Sequence, residues 1–254
     1  MEKYAMKSSV KLYEPLYTLK AIGEDIWIVD GDIVEMNFKL TQVPFSMRMT
    51  VVRLNNRDLW IHSPIHLTQE LKSEIEALGN VAHIVAPNKL HYVYIEEWSQ
   101  AYPTAKVWAT KGLEKIFEES KGIQTYTVLD KTVAISWQSE IEYLPFEGST
   151  LIEESVFFHQ KSRTLILTDL IENIELSKEC SCWHRLLFKI GDNTYPNGHT
   201  PRDLRMTFLF HKEIARKCYQ RIKGWKPINV LFAHGKCFIG NAEEKLPQAF
   251  FWLE

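Results

Sequence analysis

The 254 residues carry 30 basic and 32 acidic side chains, a formal charge of -2, and so lack the basic footprint that a phosphate backbone requires; no nucleic-acid partner is expected. A 45% apolar share against 24% charged residues excludes a disordered chain and allows a sizeable core. The opening residues, MEKYAMKSSVKLYEP, lack the apolar stretch of a secretory signal, and no uncharged apolar run reaches the roughly 18 residues of a membrane span, so a cytoplasmic protein with no membrane partner is expected.

In chain order, EDIWIVDGDI (24–33) and MTVVRL (49–54) read as strands, and the turn NNRD followed by LWIHSP predicts a hairpin over 49–61. HLTQELKSEIEALGN has helix signals: Thr68 as cap, Leu71, Ile75 and Leu78 on one face, and Gly79-Asn80 as the stop. VAHIVA is continuously apolar and suits the middle of a sheet covered on both faces. YVYIEEWSQAYP reads as helix, AKVWAT as strand and GLEKIFEES as helix, which is the alternation of an α/β layer.

Strands are predicted at TVAISW and IEYLPFEG, around 132–146, and two more in SVFFHQKSRTLILTDLI with QKSR as their turn. RDLRMTFLFHKEIARKCYQRIKGW is mostly helical in pattern, and PINVLFAHG returns to a buried strand. The chain is read as one domain over 1–254, with an irregular insertion around 173–203. Cys180, Cys182, Cys218 and Cys237 do not fall into two close pairs, so they read as ordinary thiols and not as a structural zinc cluster.

In helix-covered sheets, ligands meet the loops at the carboxyl ends of strands. Three such ends carry chemistry here: Asn88 and His91 after VAHIVA, Asp169 after TLILT, and His234-Gly235 after INVLFA. A carboxylate placed directly after LILT needs solvent, hydrogen bonds or a cation. His62 and His66 flank SPI, but Pro64 between them rules out a helix-borne zinc pair; His62 and Asn88 are candidates for contacting a substrate.

EDIWIVDG, MTVVRL, LWIHSP, VAHIVAPNKLH, YPTAKVWAT, SRTLILTDLIEN and INVLFAHG together resemble the metallo-beta-lactamase-like hydrolases, in particular an uncharacterised branch described as a domain of unknown function. The resemblance implies an α/β fold, a four-layer αββα sandwich with any site along the shared edge of two sheets. It places the His-x-His-x-Asp-His motif of metal-bearing relatives on Asn88, Leu90, Tyr92 and Val93, none of which is the residue expected there. The histidine implied near PFEGS (145–149) is also missing. Asp169 matches the bridging aspartate, His234 the last metal histidine, and His62-Ser63-Pro64 stands where a DTG-like turn is implied.

The metal motif is therefore degenerate. One expectation is a non-hydrolytic or catalytically degenerate protein that binds a small molecule or a protein in the old cleft, without a cofactor. The alternative is a single-metal hydrolase of an ester, amide or phosphoester, with His91, Asp169 and His234 holding one zinc or other divalent ion and a metal-bound water attacking. Metal-free acid–base chemistry by His91 or His234, and a structural or regulatory role, complete the set. The sequence does not select an oligomeric state.

Overall fold

The computed structural model describes residues 9–38 and 41–254. Its elements are β1 (Lys20–Gly23), β2 (Ile26–Phe38), β3 (Thr41–Arg53), β4 (Asp58–His62), α1 (Gln69–Leu78), β5 (Asn80–Ala86), α2 (Ile95–Ala101), β6 (Lys106–Thr110), α3 (Glu114–Glu119), β7 (Tyr126–Leu129), β8 (Ile141–Phe146), β9 (Glu154–His159), β10 (Thr164–Ile166), α4 (Cys182–Gly191), α5 (Arg202–Met206), α6 (Lys212–Trp225), β11 (Asn229–Leu231) and α7 (Ala242–Ala249). Among the described residues, β1 to β7 form one sheet in sequence order, and the second sheet runs β11-β10-β9-β8. Strands β1 to β4 pair antiparallel and β4 to β7 parallel, as the crossover helices α1, α2 and α3 require.

Period-two alternation sorts the core into layers. In β4, Leu59 and Ile61 face α1 and α2, packing with Leu71, Ile75, Ile95 and Trp98. Their neighbour Trp60 faces the other way, into an inter-sheet layer with Trp108, Trp137, Phe157, Ile166 and Leu231. The far side of the second sheet, with Val156, Leu165 and Val230, packs on Leu204, Tyr219, Ile222 and Leu246 from α5, α6 and α7. Helices, sheet, sheet, helices is the αββα sandwich that the resemblance implied.

Helix α1 starts where its cap predicts: the Thr68 hydroxyl accepts the Leu71 N–H at 3.1 Å. VAHIVA is central, with β4 on one side and β6 on the other. One element differs. The strand expected at TVAISW is a series of turns, and the pairing strand is β7, just before it. Asp130 Oδ1 accepts the N–H groups of Thr132 and Val133 at 2.6 and 2.9 Å, which bends the chain out of the sheet. The apolar residues of that segment serve packing instead, with Trp137 buried between the sheets. Residues 173–203, unreadable as regular structure, contain α4, whose Ser181 cap accepts the His184 N–H at 3.1 Å.

Phe157 touches the rings of Trp60, Trp137, His62 and Tyr143, so truncating it opens a void that both sheets line. Phe157→Ala is expected to lower stability by about 3–5 kcal/mol in urea unfolding. A loss under ~1 kcal/mol would mean that the sheets do not share this layer.

Candidate metal centre

Three loops leave the carboxyl ends of β5, β10 and β11 at one edge of the sandwich. Asn88 follows β5 and is fully buried. Its Oδ1 accepts the N–H groups of Leu90 (2.8 Å) and His91 (2.9 Å), which can only donate, and this fixes the orientation of the amide. Its Nδ2 therefore faces acceptors: Asp169 Oδ2 at 2.6 Å, Thr168 Oγ1 at 2.9 Å and, more weakly, Glu154 Oε2 at 3.4 Å. One side chain both shapes the turn that presents His91 and holds the carboxylate of Asp169.

Asp169 is buried in the loop after β10. Its Oδ1 lies 3.3 Å from His91 Nε2 and 3.1 Å from His234 Nε2. Burial alone would raise its pKa, but the charges and hydrogen bonds of His91 and His234 outweigh burial and hold it well below the usual carboxylate range. The loop rests on Glu154, whose carboxylate accepts the N–H groups of Thr168 (2.6 Å), Asp169 (2.8 Å) and Leu170 (3.2 Å). Burial, and then the charge of Asp169, push Glu154 up to about 7 against those donors.

His234 follows β11. Its Nδ1 lies 2.7 Å from the carbonyl of Ser46 on β3, an oxygen that can only accept, so Nδ1 carries the hydrogen. That leaves Nε2 as the atom turned toward Asp169 Oδ1. Gly235 closes the loop at φ +93°, and a Cβ there would stand 2.0 Å from the carbonyl oxygen of Asn173, so this position admits only glycine. His91 Nδ1 meets Ser63 Oγ at 2.7 Å.

The structure thus brings His91, Asp169 and His234 together, each with a donor atom within 4.8 Å of the others, and sets Asn88 directly behind them. His62 is placed differently: it is 1% exposed, stacked on Trp60 and edge-on to Phe157, with no hydrogen-bond partner for Nε2 among the described residues. Burial, and then the charge of His91, lower its pKa to about 3, so the ring stays neutral. Sequence reasoning missed Glu154, Ser46 and Arg48; the signal for Glu154 was a carboxylate at the edge of the apolar run SVFF.

A cleft of about 270 Å³ opens on His91 and His234, walled by Met36, Met47, Leu90 and Tyr92. A larger hollow, about 560 Å³, lies elsewhere between Arg163, Lys226 and Leu246 and contains none of these donors. The residues fit one cation and not two. Leu90 and Val93 have no donor atom, and the remaining oxygen of Asp169 is taken by an amide N–H, not left to a second ion.

Glu172, three residues on, is buried with the Asn193 amide donating to Oε2 at 2.6 Å, and burial pushes it up to about 8. A carboxyl whose folded pKa lies above its unfolded value stabilises the fold through its proton: the contribution is complete below about pH 4.5 and is lost as pH rises through about 8. Urea unfolding at pH 5 and pH 9 should therefore show a loss on the order of a few kcal/mol, reduced in Glu172→Gln, which mimics the protonated acid. Equal pH dependence in the two proteins would contradict this assignment.

Solved structures share this architecture. The DIM-1 metallo-beta-lactamase exposed to ceftazidime superposes with a TM-score of 0.59 at 13% identity, covering 96% of this chain and 98% of that one. A metallo-beta-lactamase from Pontibacter korlensis gives 0.56 at 15% identity, over 93% and 98%. The chemotaxis sensor ODP, solved as a peroxy diiron species, gives 0.57 at 13% identity, over 93% and 94%. At these identities the likeness establishes the fold. No curated protein sequence matches the chain. A family model matches residues 24–244, and the chain belongs to that family, described as Domain of unknown function (DUF4336), with a metallo-beta-lactamase-like fold and an incomplete, three-residue metal cluster.

Proposed function

We propose that this protein holds one divalent cation between His91, Asp169 and His234 and binds a small molecule bearing an oxygen donor in the cleft above it. The observation that carries this reading is the convergence of His91, Asp169 and His234, whose ligand atoms lie within 4.8 Å of one another: with Nδ1–H committed to Ser46, His234 turns Nε2 to Asp169 Oδ1 at 3.1 Å, and a cation held there would neutralise the carboxylate. Two imidazoles and one carboxylate form a donor set that zinc and iron(II) both accept. A proton on His234 Nε2 would serve the same electrostatic need, so metal content separates the two cases.

The chain's own residues prepare the site. Ser46 and Ser63 orient the two rings, Asn88 fixes Asp169 from behind, and Met36, Met47 and Tyr92 give the cleft apolar walls. A bound ion would act as a Lewis acid, polarising a carbonyl or phosphoryl oxygen and lowering the pKa of water. Hydrolysis of an ester, amide or phosphoester is the second reading, favoured by a cleft that opens on both imidazoles.

Protein purified without added metal is expected to carry about one equivalent of a transition metal by elemental analysis, falling at least about tenfold in His234→Ala and Asp169→Asn with unchanged circular dichroism. Zinc at about a hundredfold excess over its Kd should stabilise wild type by roughly 2.7 kcal/mol and leave both variants unmoved. Metal-free protein that shows no thermal shift with zinc, manganese or iron(II) would overturn the cation. Turnover of p-nitrophenyl esters or phosphates that is lost in Asp169→Asn would favour hydrolysis; metal without turnover would leave the binding reading.

A further inference from the structure

Among the described residues, helix α4 keeps an apolar outer face. Phe188 and Leu187 point into the protein, while Trp183, Leu186 and Ile190, at i, i+3 and i+7, share an exposed face. Arg185 and Lys189 flank that face along the helix. The apolar surface continues: Arg202 and Met206 line both the hollow of about 360 Å³ against Phe45, Leu187 and Ile190 and a second one, of about 200 Å³, beside Leu209 and Lys212. Beyond it, Leu209 and Phe210 project from the turn between α5 and α6, 68% and 86% exposed, and Met206 is 62% exposed. Large side chains standing this far into water on one surface mark a binding face.

Charge selects the occupant. Residues 182–217 contain seven Lys or Arg against three Asp or Glu, in a chain that is net negative. Two of those acids are already neutralised, Asp192 by Arg205 and Glu213 by Arg216, and Asp203 accepts the Leu204 N–H at 2.9 Å. Arg185, Lys189, Arg202 and Lys212 have no carboxylate partner among the described residues. A second copy docked symmetrically through this face would set one cationic rim against another. Apolar side chains framed by cations that have no carboxylate partner among the described residues match an anionic bilayer, with rings and aliphatic tips at the acyl boundary and cations at the headgroups.

We propose that the α4–α5 face docks this protein onto an anionic lipid surface. No helix among the described residues is long and apolar enough to cross a membrane, so the contact lies on one leaflet. The expectation of no membrane partner rested on the absence of a spanning run, a criterion blind to such a surface. Phe188 meets the Phe45 ring at 6.1 Å, and Phe45 meets His234 at 5.0 Å, so docking here brings the bilayer to the same edge as the metal cluster.

Co-sedimentation of the full chain with vesicles tests this. Vesicles of phosphatidylcholine mixed with phosphatidylserine should pellet the protein at low salt, vesicles of phosphatidylcholine alone much less, and high salt should release it. Leu209→Glu/Phe210→Glu should lower binding roughly tenfold or more, and Arg202→Glu/Lys212→Glu should remove the preference for anionic vesicles. These side chains are on the surface, so unchanged circular dichroism and melting will show that the variants are folded. Failure to pellet with anionic vesicles, or binding that survives the Leu209/Phe210 pair, would overturn the proposal. So would a dimer that dissociates in the Phe210 variant without any vesicle binding, which would give the face to a second copy.

Discussion

A single buried guanidinium joins the two sheets at the edge where the site lies. Arg48, on β3, meets Asp30 Oδ1 through Nε at 2.8 Å and Nη2 at 2.6 Å, and sends Nη1 across to the carbonyls of Phe232 (2.8 Å) and Gly235 (2.7 Å). Asp30's other oxygen accepts from Lys20 at 2.8 Å. An arginine stays charged, and in this interior it is tolerable only with its donors filled. The carbonyls that fill them frame His234, so the demand of one cation for acceptors sets the path of the loop after β11. Ser46, two residues before Arg48, then aligns the ring itself.

From that fixed imidazole the rest of the site follows as a matter of charge balance. Asp169 is the anion on which His91, His234 and the Asn88 amide converge, and the backbone that carries it is gathered by Glu154. Two buried carboxylates here move in opposite directions: Asp169 is held down by the imidazoles, and Glu154 is lifted by burial and then by the charge of Asp169. The pocket floor is a hydrogen-bonded lattice in which each polar group is specified by the next, and this is the kind of preorganisation that metal ligands need.

Much of this was legible in the sequence, for identifiable reasons. VAHIVA is apolar on both faces because β4 and β6 flank it and helices and the second sheet cover it, and Asp169 and His234 stood out because each ends an apolar run. TVAISW misled because burial and strand pairing leave the same apolar signature; the cue against a strand was Asp130, ready to bind the next amides. Arg48 reads locally as an outward residue in the alternation SMRMT, and its acceptors lie 184 and 187 residues away, beyond any local pattern. The alternation of β4 places His62 with Trp60, but that this face looks into the second sheet is a fact of tertiary packing.

Asn88 has a consequence for the history open to this site. An imidazole at that position, as in the dinuclear pattern, would require deleting the amide that now serves Asp169, Thr168 and Glu154 together. The first step back would leave two buried carboxylates confronting each other without their shared donor, before any second ion had the ligands to compensate. Leu90, Tyr92 and Val93 would have to change as well, and no one of these changes completes a second set of ligands. The three-residue arrangement thus resists single substitutions toward a two-ion site, because the polar lattice beneath the cleft would lose a partner at the first change, whereas the residues over the cleft carry no such constraint.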